Sequence, residues 1–553
     1  MHFVDLRELD DQRVIEADVC IVGSGPAGLS IAQELSKSGL HVWIAESGGL
    51  QPEPDTQALY DVENVGTPRC MPQDRVRQRI YGGSSHTWSG RNATFDHTDF
   101  SKRSWVPYSG WPISRDDFDP FLERARPYLR VGPNCYDERL WPLLRAPRPT
   151  PPLNAEHLKP AFWQFCADGQ PVRFAATVLT DSAPNVKTLL HANVTQINVN
   201  ADSSRVESVE LSTLEGKHAR IVAKMVVLCC GGIENARLLL ASNRVMRQGV
   251  GNQNDTVGRF LMDHPGSVIG SFDPRQSSGV QDRFGSYWLD DEYGRHRVLH
   301  GVALSPQLQE KEGLVNCAAF LEEYVAVDDP WRTMKRFVNT MSGGTSSDDS
   351  EDATMFWRSD VPSGGSTGPV RDAMGILAHS PSIAQSLYRR YVKHRPPLTR
   401  NAQVDLYSLA EQVPDPESRV TLSERKDALG MPLARVTWKI NLQEVRSLRR
   451  LVSLIGQEFK RIGLAPPTPS PWLSADDPSQ WQFTDRAHPT GATRMSLNPK
   501  EGVVDANCMV HGVEGLFIAG SSVFPTAGHA NPTLMIVAMA VRLADRLKSS
   551  HRP

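Results

Sequence analysis

The sequence predicts an α/β fold, α+β overall, built on a parallel sheet that helices cover. Residues 18–22 form an apolar run typical of a buried parallel strand, and residues 29–37 have the apolar spacing of a helix. A second apolar run follows at residues 41–45. Strand, helix and strand in this order indicate a βαβ unit. The chain of 553 residues is longer than one compact core, so we expect two domains.

Three glycines join the first predicted strand to the helix in the spacing Gly-x-Gly-x-x-Gly. Gly23 permits a tight turn, Gly25 lets the backbone approach a pyrophosphate, and Gly28 allows the helix to pack closely on the strand. The N-terminus of the helix can then bind the phosphates. Glu46, at the end of the second strand, can accept hydrogen bonds from ribose hydroxyls and would repel the extra phosphate of NADP. The segment predicts a Rossmann-like site for an adenine dinucleotide, FAD or NAD.

Further motifs lie far along the chain from this unit. Residues 81–88 place small and polar side chains in a loop suited to a flat ring system. Residues 224–228 form an apolar strand, and a Gly-Gly-Ile-Glu-Asn-Ala-Arg segment follows at 231–237. A short strand at 515–520 precedes a predicted C-terminal helix at 532–547. These segments favour FAD over NAD as the expected dinucleotide.

Together the motifs resemble the glucose–methanol–choline (GMC) oxidoreductases. The segments most similar to the pyranose-oxidase-like branch of that family are Gly-Gly-Ser-Ser at 82–85, the segment at 231–237, Gly-Arg-Phe-Leu-Met-Asp-His-Pro at 258–265 and Ala-Asn-Pro-Thr at 530–533. The resemblance covers residues 17–548 and is patchy between 270 and 400. It implies an FAD-dependent enzyme that oxidises alcohols by hydride transfer to the flavin.

The resemblance also implies which residues hold FAD and how the chain divides. The residues expected at the FAD site are Gly23, Gly25, Gly28, Glu46, Gly82, Gly83, Ser84, Ser85, Thr87, Val194, Gly231, Gly520, Asn531, Pro532 and Thr533. The expected FAD-binding domain comprises residues 1–110, 185–272 and 484–553. Residues 111–184 and 273–483 would form a discontinuous substrate-binding domain made of a sheet plus helices.

A candidate catalytic pair lies near the C-terminus. Removing a hydride from a carbon that bears a hydroxyl group is easier when a base takes the hydroxyl proton. His488 matches the catalytic histidine of the family's His-Pro-x-Gly motif, which the family pairs with a later His or Asn. Asn531 matches the branch motif and would donate its amide to the substrate oxygen without competing for the proton. His529 is the alternative second member, and it can also line the pocket.

The flavin loop departs from the pattern of the branch. Pyranose oxidases attach the flavin methyl group to a histidine directly before a tryptophan, and here Thr87 occupies that position before Trp88. His86 comes one residue earlier, which in an extended segment turns its side chain to the opposite face. We therefore expect non-covalent FAD. A local bulge that brings His86 to the flavin is the alternative.

Composition narrows the partners and the location. The net charge of −3 gives no general attraction to nucleic acid or to an anionic membrane. No apolar run approaches the roughly 18 residues of a membrane span, and the N-terminus lacks the basic region and apolar core of a signal peptide. The eight cysteines and the histidines lack metal-site spacing. We expect a cytoplasmic protein without a metal, whose partners are a small alcohol substrate and an electron acceptor, oxygen or another; whether it forms an oligomer stays open.

Residues 341–372 are rich in serine, glycine and acidic side chains, which cannot bury enough apolar surface to become ordered. A solvated flexible insertion is the first interpretation, and a mobile lid or an arm to another subunit is the second. Acidic residues between 322 and 329 and between 348 and 352 would attract a cationic amino sugar if they border the pocket. A role in solubility is the simpler interpretation of these acids.

The sequence leaves three functions open. The first is FAD-dependent oxidation of an alcohol group to a carbonyl on a sugar, glycoside or amino-sugar-containing natural product, as the branch resemblance implies. The second is oxidation of a non-sugar alcohol, such as a polyol, sterol or secondary metabolite. The third is a flavin-binding protein with a structural or partner-supporting role and no turnover, against which His488 and Asn531 argue.

Overall fold

A computed structural model describes residues 2–144, 146–179, 183–326, 328–341 and 369–550. The described chain forms two eight-stranded sheets, a three-stranded sheet and helices that cover them. Among the described residues, no helix combines the length and the apolar character that crossing a membrane requires. The mixture of parallel sheet and covering helices confirms the predicted α/β class.

The first sheet contains the predicted βαβ unit. In spatial order its strands are His2–Asp5, Val186–Leu190, Val42–Ala45, Arg13–Val22, His218–Leu228, Val206–Ser212 and Asn193–Val199, and Leu516–Ile518 pairs with the end of His218–Leu228. The central strand Arg13–Val22 pairs in parallel with both of its neighbours. Its residues Val19, Cys20 and Ile21 are fully buried, as expected of a central parallel strand that is covered on both faces.

The second sheet is mainly antiparallel. In spatial order its strands are Thr468–Pro469, Gly266–Phe272, Asn401–Ala410, Cys317–Val325, Gly294–Leu304, Leu158–Phe165 and Arg91–Asn92, and Ser286–Asp291 pairs with Gly294–Leu304. The amphipathic helix Leu442–Arg461 packs the apolar side chains of Val445, Leu448 and Leu451 against this sheet. A capping box of Asn441 and Glu444 fixes the start of that helix.

The small third sheet joins parts of the chain that the predicted domain boundaries separate. Its strands are Arg419–Lys426, Pro432–Trp438 and Val62–Gly66. The strand Gly266–Phe272, placed in the predicted FAD-binding domain, pairs with Asn401–Ala410 in the second sheet instead. The chain therefore crosses to the second sheet before the predicted boundary at residue 272, and the remaining boundaries stay a prediction.

The helices of eight or more residues are Pro26–Leu35, Arg115–Leu129, Glu234–Ala241, Pro330–Met341, Pro369–Ala378, Ser380–Tyr391, Leu442–Arg461 and Thr533–Ser550. The shorter helices are Pro54–Ala58, Gln73–Val76, His97–Phe100, Phe174–Thr177, Ser278–Phe284 and Pro306–Glu312. Most of the predicted insertion 341–372, residues 342–368, lies outside the described residues. Met341 and residues 369–372 belong to helices, and the flexible insertion stays a prediction.

The glycine turn of the βαβ unit has the geometry that its spacing predicts. Gly23 adopts the left-handed region with φ of 99°, which favours a residue without a Cβ. A Cβ on Gly28 would lie 2.0 Å from the carbonyl oxygen of Gly23. Only glycine at this position lets the helix Pro26–Leu35 pack against the end of the strand Arg13–Val22.

A buried ion pair connects the loop before residue 110 to the second sheet. Arg103 donates to both carboxylate oxygens of Glu411, with an Nη1–Oε2 distance of 2.8 Å, and neither side chain is accessible to solvent beyond 1%. Two further buried acids lie nearby. Burial, with Glu411 as a contributor, raises the pKa of Asp99 to about 7 and that of Glu444 to about 8. Arg103 is thus the cation that compensates a cluster of buried acids.

We predict that Arg103→Gln destabilises the protein strongly, because it leaves Glu411 charged and buried without a cation. The expected loss is about 3–5 kcal/mol of unfolding free energy, measured from the urea midpoint at neutral pH. Arg205→Gln is the matched control, because Arg205 pairs with Glu514 in solvent, and its loss should be below about 1 kcal/mol. Equal effects of the two variants would contradict the role given to the buried pair.

Candidate active site

A deep cleft opens at the carboxyl ends of the central strands of the first sheet, where α/β folds bind their ligands. Among the residues expected to hold FAD, those that line the cleft are Gly23, Gly25, Glu46, Gly83, Ser84, Ser85, Thr87, Val194, Gly231, Gly520, Asn531, Pro532 and Thr533. His488 lines the same cleft. Gly28 and Gly82 lie behind the wall: Gly28 packs the helix on its strand, and the Gly82 N–H donates to Ser24 Oγ at 3.2 Å.

The cleft wall fits a dinucleotide. A Cβ added to Gly25, Gly231 or Gly520 would meet no heavy atom within 4 Å, so the bare backbone at these positions faces open space. Gly25 directly precedes the helix Pro26–Leu35, whose N-terminus favours phosphate. At the opposite wall, Asn531 Oδ1 is buried and has no hydrogen-bond partner within the described chain. A bound cofactor or substrate would supply the missing polar partner.

The Glu46 carboxylate also makes hydrogen bonds within the protein that the sequence did not predict. Its Oε2 accepts hydrogen bonds from the Ser24 backbone N–H at 2.9 Å and from Ser24 Oγ at 2.6 Å. Its Oε1 accepts the Gly48 N–H at 2.8 Å. Glu46 therefore ties the glycine turn to the end of the strand Val42–Ala45. The predicted hydrogen bonds to ribose stay a prediction.

A charged cluster lines the cleft on the Glu46 side and has no counterpart in the sequence prediction. Glu234 accepts hydrogen bonds from Arg77 at 3.2 Å, Arg79 at 3.1 Å and Arg237 at 3.1 Å. The ring of Tyr60 lies under the guanidinium groups of Arg77 and Arg79, 4.5 and 4.2 Å from its centroid. Burial raises the pKa of Tyr60 to about 12, so the phenol is neutral. The Gly-Gly-Ile-Glu-Asn-Ala-Arg motif contains both Glu234 and Arg237, but Arg77 and Arg79 are distant from it in sequence.

The flavin loop places its two candidate attachment residues differently. Thr87 lines the cleft. His86 is not among the lining residues of the described chain, and its Nε2 lies 2.9 Å from the carbonyl oxygen of Tyr81. The residues Gly83–His86 form a short 3-10 helix rather than an extended segment. The conclusion that His86 turns away from the cleft is the predicted one, although the backbone reaches it by a different conformation.

The backbone N–H of His488 anchors this residue in the cleft. Its N–H lies 3.1 Å from both carboxylate oxygens of Asp263, and Asp263 Oδ1 also accepts the N–H groups of His264 and Arg486. Burial lowers the pKa of the His488 imidazole well below its usual value, and the nearby His264, Arg486 and Arg91 lower it further. The ring is therefore neutral at neutral pH, the state in which it can accept a proton.

His264 fixes the tautomer of His488. His264 Nε2 lies 3.4 Å from the carbonyl oxygen of Ala527, and a carbonyl only accepts, so Nε2 carries the proton. Burial lowers the pKa of His264 to about 4, so the ring is neutral and Nδ1 has a free lone pair. His488 Nδ1 lies 3.1 Å from His264 Nδ1 and must therefore donate. This leaves His488 Nε2 unprotonated and able to act as a base.

Asp263, His264 and His488 each bring one potential metal-ligating atom within 4.8 Å of the others. The Asp263 carboxylate is, however, already engaged by three backbone N–H groups and by Arg69 Nη2 at 3.1 Å. The facing Nδ1 atoms of the histidines are engaged with each other. We interpret the group as a hydrogen-bond network, and the expected absence of a metal stays a prediction.

The two candidates for the second catalytic residue lie in different places. Asn531 lines the cleft with His488. His529 lines a separate, smaller polar cavity, where its Nδ1 lies 3.0 Å from Asn316 Oδ1. Burial lowers the pKa of His529 to about 4. The structure thus brings Asn531, and not His529, to the cleft.

Comparison with known proteins identifies the family. Two family models, both described as GMC oxidoreductase, match residues 155–266 and 414–540. The fructose dehydrogenase large subunit of Gluconobacter japonicus is 23% identical over 96% of this chain and 98% of its own length. The 6'''-hydroxyparomomycin C oxidase of Streptomyces lividus is 23% identical over 96% of this chain and 91% of its own.

Among solved structures, a formate oxidase superposes with a TM-score of 0.56 at 18% identity, covering 98% of this chain and 99% of that one. This likeness concerns the fold. Together with the family models it confirms the resemblance that the sequence motifs carried. The chain therefore belongs to the GMC oxidoreductase family and is an FAD-dependent oxidoreductase.

Proposed function

We propose that this protein oxidises an alcohol group to a carbonyl on a carbohydrate-like substrate, a sugar or glycoside, and that His488 takes the hydroxyl proton. The observation that carries the proposal is the His264–His488 hydrogen bond, which leaves a basic nitrogen on the cleft. The names of the fructose and hydroxyparomomycin relatives support sugars and amino-sugar-containing natural products as the substrate class. A non-sugar alcohol is the alternative kept from the sequence.

In this proposal, some cleft residues bind the cofactor and others act on the substrate. The glycine turn with Gly25, the loop at Gly83 and the start of the helix Thr533–Ser550 would hold FAD without a covalent bond. When bound, FAD would supply the hydride acceptor. The remaining steps belong to side chains of this chain.

His488 Nε2 accepts the proton of the substrate hydroxyl in this proposal. As it does so, positive charge spreads over the imidazole, and the Nδ1–H bond to His264 becomes charge-assisted and stronger. This gain arises in the transition state rather than in the resting enzyme, so it accelerates the reaction. His264 takes the place that a carboxylate holds behind the histidine of a hydrolase triad, but it is neutral.

Asn531 stabilises the substrate oxygen. Its amide offers N–H donors to the charge that grows on the oxygen as the proton leaves, and it has no proton-binding equilibrium of its own near neutral pH. The position of Asn531 on the cleft supports this role. His529, tied to Asn316 in the other cavity, lacks such access.

We predict that acid precipitation of the purified yellow protein releases all of its flavin, because Thr87 lines the cleft while His86 contacts Tyr81. Absorbance of the washed pellet and the mass of the peptide that contains His86 provide the measurement. An added flavin mass on that peptide would show that the loop rearranges to bring His86 to the cofactor.

We predict that His488→Ala slows anaerobic flavin reduction by roughly 10²–10⁴-fold, because a general base is lost. Flavin should stay bound, since the glycine turn is unchanged. Stopped-flow absorbance of the bound flavin gives both quantities.

Asn531→Ala and His529→Ala form a matched pair for the same assay. The first should slow reduction by roughly 10–10³-fold through loss of one donor to the oxygen, and the second should change the rate far less. A larger effect of His529→Ala would transfer the second role to that histidine.

We predict that His264→Asn retains much of the reduction rate and that His264→Gln loses it. The Asn carbonyl oxygen stands as many bonds from Cβ as His Nδ1, so it can accept from His488 Nδ1–H. The Gln amide reaches the Nε2 position near Ala527 but puts no acceptor at the Nδ1 position. A role in filling space predicts the reverse order, because Gln is the larger side chain. Reduction rates should also be measured from pH 5 to 9. The apparent pKa on the acid side of this pH–rate profile should change only in the Gln variant.

A further inference from the structure

The acidic side chains that line the cleft all lie at one end of it. The acids among the lining residues are Glu46, Glu234 and Asp427. All three lie on the glycine-turn side, where Glu46 binds Ser24 and both other acids bind Arg237. Near His488 the charged lining residues are Arg91 and Arg486, and both lower the pKa of the His488 imidazole. Within the described chain, the reacting end of the cleft is therefore lined by cations only.

Arg91 is the less compensated of these two cations. It lies on the edge strand Arg91–Asn92, with its guanidinium 4.5 Å from the ring centroid of Phe320 and 5.8 Å from that of Trp163. Among the described residues, no carboxylate forms an ion pair with it. Burial lowers the pKa of Arg91 to about 9, and the charge of Arg486 adds to this effect. Arg91 is partly buried, and an anion in the cleft would supply the ion-pair partner that it lacks among the described residues.

Arg486 is held in a fixed position beside His488. Its Nη1 donates to the Tyr407 hydroxyl at 3.1 Å, and its backbone N–H donates to Asp263 Oδ1 at 3.0 Å. Glu322 raises the pKa of both arginines, Asp263 also acts on Arg486, and Arg297 is a further cation that acts on Arg91. Arg486 is thus positioned by hydrogen bonds, while Arg91 is the cation of this pair that is left for an anion in the cleft.

The other charged groups near Arg91 are already engaged with each other. The next charged groups are Arg297 and Glu323, which are of opposite sign and act on each other. Burial raises the pKa of Glu323 to about 7, so its negative charge is incomplete at neutral pH. The acidic residues 348–352, which in the sequence suggested a cationic amino sugar, lie outside the described residues.

We propose that the substrate is an anionic carbohydrate, a sugar acid whose carboxylate binds Arg91 while its hydroxyl group reaches His488. The inference rests on the proposed function and names its substrate class. An arginine fork can bind both oxygens of a carboxylate, and one arginine without an ion-pair partner among the described residues matches one carboxylate. The amino sugar suggested by the sequence has the wrong charge for this end of the cleft.

Binding can be measured separately from turnover. In the His488→Ala holoenzyme, titration with D-glucuronate, D-glucose, D-glucosamine and D-glucose 6-phosphate is followed through the visible absorbance of the bound flavin. Glucuronate should bind roughly 10- to 100-fold more tightly than glucose, the range for hydrogen bonds to a charged group. Glucosamine should bind more weakly than glucose, and glucose 6-phosphate should not exceed glucuronate.

Variants assign the preference to one side chain. Adding Arg91→Gln to the same background should bring the glucuronate-to-glucose affinity ratio close to one, and Arg91→Lys should restore part of it, because Lys keeps the charge but not the fork. Arg205→Gln, on an exposed ion pair with Glu514, is the control and should leave the ratio unchanged. The ratio should persist at high salt, since a direct buried contact is screened little.

The outcomes separate this inference from the proposed function. Three outcomes would overturn the proposal of an anionic substrate. They are equal affinity for glucuronate and glucose, tighter binding of glucosamine or glucose 6-phosphate than of glucuronate, and a glucuronate preference that persists in Arg91→Gln. A wild-type reduction rate in His488→Ala would instead overturn the proposed base, and it would leave the measured affinities unaffected.

Discussion

The buried carboxylate of Asp263 is the interaction on which the reacting end of the cleft depends. It accepts the backbone N–H groups of His264, Arg486 and His488 and pairs with Arg69. One anion thus positions the backbone of both histidines and of one cleft arginine. Burial raises the pKa of Asp263 to about 6, although the charge of Arg69 opposes this shift. At neutral pH the carboxylate is therefore ionised, and both of its oxygens can accept hydrogen bonds.

This anchor stands where the chain passes between the two large sheets. The strand Gly266–Phe272 of the second sheet begins directly after the segment that contains His264, while His488 belongs to the segment that leads back to the first sheet. The tautomer of His488 is thereby set by contacts between distant parts of the chain: Ala527 orients His264, and His264 orients His488. A shift of one sheet against the other would disturb the pair without touching either side chain.

The sequence predicts well what depends on neighbouring residues. The βαβ unit, the turn at Gly23 and Gly28 and the candidate His488 follow from spacing and from family motifs. The role of His264 could not be predicted, although its Asp-His-Pro motif was visible, because the role depends on contacts with Ala527 and His488. The pairing of Glu234 with Arg77 and Arg79 and the charges around Arg91 likewise depend on contacts between separate parts of the chain.

The contact between the glycine turn and the flavin loop has a consequence for how the holoprotein forms. The Gly82 N–H donates to Ser24 Oγ, and a Cβ on Gly83 would lie only 2.9 Å from Gly25 Cα, so two segments of the cleft wall touch with no room to spare. A dinucleotide that contacts both segments would stabilise the wall that they form together. Its binding would therefore be coupled to the folding of this part of the chain.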